Sequence, residues 1–167
     1  MRRENEVKIR VVGLLFFVAA CGDVDAQRQD FAQSCVEGSQ PFQLGHGLDQ
    51  FNVPEVAQEL WFEPGIQGGY HVWAGVRIGK FDPISTHTQF RLYSDEALVG
   101  GRTVPATYTC ANVGYQLLGV PVELYFHRPP QQFDQTQMLL KAILTEQDGT
   151  IHEDEFTFRA RCCRGYE

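Results

Sequence analysis

From residue 70 to residue 79 the side chains alternate without a break. Tyr70, Val72, Ala74, Val76 and Ile78 fall on one face, and His71, Trp73, Gly75, Arg77 and Gly79 on the other. A period of two belongs to an extended strand with one buried face, and a helix would scatter these residues around its axis. Thr88, Phe90 and Leu92 alternate in the same way with Gln89, Arg91 and Tyr93, as do Val122, Leu124 and Phe126 with Glu123, Tyr125 and His127. Near the end, residues 138–146 and 155–162 flank Asp148-Gly149, a turn signal that predicts a hairpin. Residues 58–63 and 103–111 supply further β-rich runs, and 53–60 is the one candidate for a short turn of helix. About seven short strands follow, and the chain is expected to be all-β, an immunoglobulin-like β-sandwich stapled by disulfides. A jelly roll or a small barrel would give the same string.

The strands begin well inside the chain. Arg2, Arg3, Lys8 and Arg10 precede an uncharged apolar run over residues 11–20. A permanent span needs about 20 apolar residues and a secretory core about 7 to 15, so residues 1–20 read as a signal peptide. The run ends in Val18-Ala19-Ala20-Cys21, which resembles the lipobox of bacterial lipoproteins. The resemblance implies cleavage before Cys21 and acylation of its thiol, and several acyl chains make release from a membrane very slow. It also implies sorting: Gly22, rather than an acid, follows the cysteine, and the outer membrane of a Gram-negative envelope is expected. Residues 21–34, with Asp23, Asp25 and Asp30, have little apolar surface to bury and read as a flexible tether. As coil, the thirteen residues that follow Cys21 in it span roughly 20 Å. The domain is expected over residues 35–167, about the size of one ordinary unit with its own core.

Loss of residues 1–20 removes four bases and two acids and takes the formal net charge from −7 to −9. So acidic a chain, with scattered bases, repels nucleic acid, and no nucleic-acid partner is expected. Four cysteines remain beyond Cys21: Cys35, Cys110, Cys162 and Cys163. An even number in an oxidising compartment predicts two disulfides. Neighbouring cysteines bridge each other only through a strained ring, so Cys162 and Cys163 are each expected to reach elsewhere. Strand phase favours Cys110 with Cys162 and Cys35 with Cys163. No C-x-x-C spacing preorganises the thiols for a metal.

The segment Gly65-Ile66-Gln67-Gly68-Gly69-Tyr70-His71-Val72-Trp73, preceded by Gly45-His46-Gly47, resembles one found in uncharacterised secreted and lipid-anchored proteins of large-genome Gram-negative bacteria. That resemblance spans about residues 41–105 and implies no activity. Glycines at 65, 68 and 69 suit a chain reversal before the strand. His46 and His71, at the ends of adjacent strands, are the candidates for a copper or zinc site, although two histidines without a spaced third ligand do not make a motif. Trp73 stands on the polar face of its strand with His71 and Arg77. There it can stack on a sugar ring, unless a second sheet covers that face and makes it core. Residues 153–155 read as a solvated loop, and His87, His127 and His152 as structural or surface residues. His152-Glu153 lacks the second histidine of a zincin helix, and no nucleophile elbow, P-loop or dinucleotide fingerprint is present. The sequence therefore predicts no catalytic residue and no cofactor. The expected function is a non-enzymatic interaction or structural domain held at the envelope by its lipid, with an envelope protein or polysaccharide as partner. A metal- or glycan-binding lipoprotein and a hydrolase with a dispersed site are the alternatives, and a pocket converging two carboxylates would favour the hydrolase.

Overall fold

A computed structural model describes residue 35 and residues 37–66, 68–80, 86–105, 108–112, 114–125 and 129–163. The segments expected as signal peptide, lipobox with Cys21 and tether, together with His127, lie outside the described residues. The chain is all-β. Its strands are β1 (Gln43–His46), β2 (Glu59–Trp61), β3 (Glu63–Pro64), β4 (Tyr70–Ile78), β5 (His87–Ser94), β6 (Ala97–Pro105), β7 (Thr109–Cys110), β8 (Tyr115–Leu124), β9 (Gln137–Thr145) and β10 (Ile151–Arg161). A single 3₁₀ turn at Pro130–Phe133 is the one helical element among the described residues, and no described helix is long and apolar enough to cross a membrane.

The alternation read from the sequence is the alternation of burial. Val72, Ala74, Val76 and Ile78 of β4, Thr88, Phe90 and Leu92 of β5, Val122 and Leu124 of β8, and Met138, Leu140, Ala142 and Leu144 of β9 all point into one core. The hairpin of β9 and β10 pairs antiparallel from Gln137↔Arg159 to Thr145↔Ile151, and Gly149 takes the positive φ (90°) that its turn demands. Residues 153–155 belong to β10 and not to a loop, with Glu153 bound to Lys141 at 2.6 Å. Residues 53–60 form a turn leading into β2, not a helix, since their apolar side chains Val53 and Val56 face solvent and have nothing to pack against.

The expected arrangement of two facing sheets takes a different form. Ten strands make one mixed sheet in the order β1-β4-β8-β6-β5-β9-β10-β2, with β3 added to β4 and β7 to β8. The sheet curls until β1 and β10 run side by side in parallel. They meet there through side chains instead of a backbone ladder. Phe42, just before β1, lies 6.2 Å from the His152 ring, and His46 lies 6.4 Å from Phe156. Between these two contacts the Asp154 carboxylate accepts the Leu44 N–H at 2.7 Å through one oxygen and the Glu155 N–H at 2.9 Å through the other. A single carboxylate thus reaches across the seam to a part-buried donor of β1 and also accepts from the exposed N–H that follows it on β10. The C-terminal end of β10 takes β2 as its parallel partner.

The disulfides also depart from expectation. Cys35 pairs with Cys110, and Cys162 pairs with its neighbour Cys163. Strand phase failed as a guide because β10 ends at Arg161 and Cys163 turns away with a φ of 90°. The phase of a strand carries no information past its last residue.

Candidate functional site

The outer face of β4 carries the residues of interest. Register sets Glu63 of β3 and Glu123 of β8 directly opposite His71, one on each side, and Pro121 opposite Trp73. Opposed residues in a sheet share a face, so these side chains converge above it. The turn between β3 and β4 folds over them: a hydrogen bond from Gly65 N to Gly69 O (3.0 Å) closes it, and Gly68 and Gly69 both take positive φ. A Cβ on Gly65 would stand 3.7 Å from His71 Nδ1, so the loop backbone lies against the imidazole. Under this cover His71 is only 7% exposed, although it belongs to the outer face.

Between turn and sheet lies a groove of about 370 Å³, bordered by Glu63, Ile66, His71, Trp73, Arg102 and Glu123. Trp73 donates its indole N–H to Glu63 Oε2 at 2.8 Å, and its ring meets the His71 ring edge-on, with centroids 4.4 Å apart and planes at 81°. Arg102 Nη1 holds Glu123 Oε1 at 2.7 Å. His71 Nε2 is buried and has no hydrogen-bond partner. Ile66, at the tip of the turn, is fully exposed at the groove's edge. The groove therefore joins an oriented indole, a hidden imidazole, two carboxylates and a guanidinium, a polar frame around an aromatic wall.

His71 and Trp73 are thus brought together, and Trp73 is not core: it is half-buried, under a loop and not under a second sheet. His46 is elsewhere. It pairs in register with Ala74 of β4, an inward residue, which puts His46 on the opposite face from His71. The two histidines cannot share an ion, and among the described residues no three His, Cys, Asp or Glu side chains gather as a metal would require. Glu63, Arg102 and Glu123 were missed in the sequence. One of them had a signal: Glu63 and His71 flank the Pro-Gly…Gly-Gly reversal, and counting back across it puts them in register.

Burial holds both His46 and His71 below the ordinary imidazole value of 6.5. For His71 the nearby Glu63 and Glu123 oppose that shift without overcoming it. The unfolded chain takes up these protons near 6.5 and the folded chain only at lower pH, so stability is full above that value and declines as pH falls beneath it. Urea midpoints measured between about pH 7.5 and about pH 5 should fall with acidification, and His71→Gln should flatten part of that slope. An unchanged slope in the variant would show that the imidazole titrates freely.

The chain matches no protein-family model and no curated protein sequence.

Proposed function

We propose that the protein is a lipid-anchored lipoprotein of the cell envelope, on the outer membrane, whose domain binds a glycan in the groove over His71 and Trp73 without turning it over. The observation that carries this reading is the indole of Trp73, fixed by Glu63 and His71 at the wall of a groove whose other groups are hydrogen-bonding carboxylates and a guanidinium. A sugar ring has an apolar face and a polar rim, and an aromatic wall with charged acceptors and donors around it answers both. The lipobox over residues 18–21 supports the anchor, and the acidic chain suits a surface partner that is not nucleic acid.

One observation favours a second reading. Glu63 and Glu123 border the same groove, and glycoside hydrolases work with two carboxylates. Here both act as acceptors, from Trp73 and from Arg102, whereas a hydrolase requires one to give a proton.

The test uses the full chain expressed in a Gram-negative host and purified from its membranes. Its intact mass should show acyl chains on a polypeptide starting at Cys21. Titration with oligomers of β-1,4-linked N-acetylglucosamine and other soluble envelope oligosaccharides should show saturable binding, weakened about tenfold or more in Trp73→Ala, which is about 1.4 kcal/mol. An unacylated mass would remove the anchor. Absence of binding across the panel, or binding unchanged in the variant, would remove the glycan reading, and release of new reducing ends would move the hydrolase ahead.

A further inference from the structure

Four residues along β4 from Trp73, about 13 Å away on the same outer face, stands an arginine in an unusual setting. Arg77 lies in register between Gln43 of β1 and Gln116 of β8, and Gln116 in turn faces Thr109 of β7. No carboxylate stands in that row. Among the described residues Arg77 makes no ion pair, although the chain has 21 acidic residues against 14 lysines and arginines. Its Nε is buried and lacks an acceptor.

The guanidinium is nevertheless held in place. Its carbon sits 4.2 Å from the centroid of the Phe51 ring. Phe51 reaches that position because Gly45, opposite Gly75 in the register, leaves the sheet bare there: a Cβ on Gly45 would stand 2.5 Å from the ring. Contact with the ring restrains the guanidinium, and Arg77 lines an open space in which its N–H donors can meet a ligand. Beside it opens a pocket of about 440 Å³ lined by Gln40, Arg77, Cys110, Ala111, Asn112 and Gln116. Three of these are amides, each able to donate a further N–H. The wall at Cys110 is tied covalently to Cys35.

We infer that this pocket is a second binding site, separate from the glycan groove, and that it takes a ligand bearing a carboxylate. The planar fork of Arg77 grips the two carboxylate oxygens side by side, and the amides of Gln40, Asn112 and Gln116 bind the lone pairs that remain. A single cation neutralises a single negative charge. A phosphate dianion would be left with an excess charge inside an already acidic protein, so the monoanion is the better match.

The test titrates the purified full-length protein, in detergent micelles, with N-acetylglycine, with the uncharged N-acetylglycinamide and with inorganic phosphate, following ligand line widths by NMR. N-acetylglycine should bind saturably and at least about tenfold more tightly than either comparator, and Arg77→Gln should abolish its binding. Because Arg77 also packs on Phe51, a second variant guards against simple unfolding. Gln116→Glu sets a carboxylate in register with Arg77, occupies the guanidinium from within and should abolish binding while the circular dichroism spectrum stays that of the parent. The inference is overturned if N-acetylglycine fails to saturate, if the amide binds equally, if phosphate binds more tightly, or if folded Gln116→Glu still binds.

Discussion

Replacing Cys35 by alanine and Cys110 by serine should lower the unfolding free energy by about 4 kcal/mol. The two residues are 75 apart in sequence, and the bridge between them closes a loop holding β1 to β6. Cross-linking a loop of that length removes conformational freedom mainly from the unfolded chain, and the chain-entropy estimate for it is about 4 to 5 kcal/mol. Burial of Cys35, 7% exposed, is why alanine is the replacement there, since a serine hydroxyl would add an unpaired polar group. The second bridge supplies the control. Cys162 and Cys163 are adjacent and enclose no loop, so replacing both should change stability by less than about 1 kcal/mol. Urea denaturation of oxidised wild type and of the two double variants measures both effects. Equal losses would mean that the long bridge does not close in the folded protein.

Asp154→Ala should cost about 2 to 3 kcal/mol, more than an exposed strand aspartate otherwise would. The carboxylate is the acceptor for Leu44 N–H on β1 and for Glu155 N–H on β10. Hydrogen bonds to a charged acceptor are worth about 1.5 to 3 kcal/mol, and the part-buried Leu44 N–H loses its acceptor, whereas the exposed Glu155 N–H can turn to water. Asp154→Asn retains one acceptor oxygen and presents an NH₂ in place of the other, so it should recover only part of the loss. Equilibrium unfolding gives the magnitude. Amide exchange gives the location: Leu44 and Glu155 should exchange faster in the alanine variant while amides within the β5–β9 pairing keep the protection of the global fold. Uniform acceleration would show that the seam is no weaker than the rest of the sheet.

The alternation in β4, β5, β8 and β9 was readable because each strand has one face in the core, and burial writes its period directly into residue type. Neighbour relations are not written there. Nothing local in 43–46 or 151–161 says that these segments will lie side by side, because their contact depends on how far the other strands curl the sheet. A pattern of inward and outward residues is the same for two facing sheets and for one sheet bent round upon itself, so the count of seven and the sandwich were natural readings of an ambiguous string. The segment 53–60 misled for a different reason. Its spacing suited one helical turn, but Val53 and Val56 found no surface to cover, and helical spacing without a docking face does not hold a helix.

The candidate site divides along the same line. His71 and Trp73 were visible because strand phase assigned them to the polar face. Glu123 and Arg102 come from strands far off in sequence and are brought in by the pairing of β4 with β8 and of β8 with β6. The glycines were legible as a group but not individually. Gly68 and Gly69 serve the turn, as expected, while Gly45 serves the ring of Phe51, a contact that no local rule anticipates.

The bridge from Cys35 to Cys110 also has a mechanical meaning. A pull on the chain ahead of Cys35 arrives at a branch point, where one path leads on toward β1 and the other crosses the covalent bond to β7. β1 is joined to β10 by rings and one carboxylate, and it would peel first if it bore the load alone. The bond to Cys110 passes the load instead to β7 and, through its hydrogen bonds, to β8, which is flanked in the sheet by β4 and β6. The strand at the seam is thereby sheltered from tension applied ahead of Cys35, and such a pull does not begin by unzipping that edge.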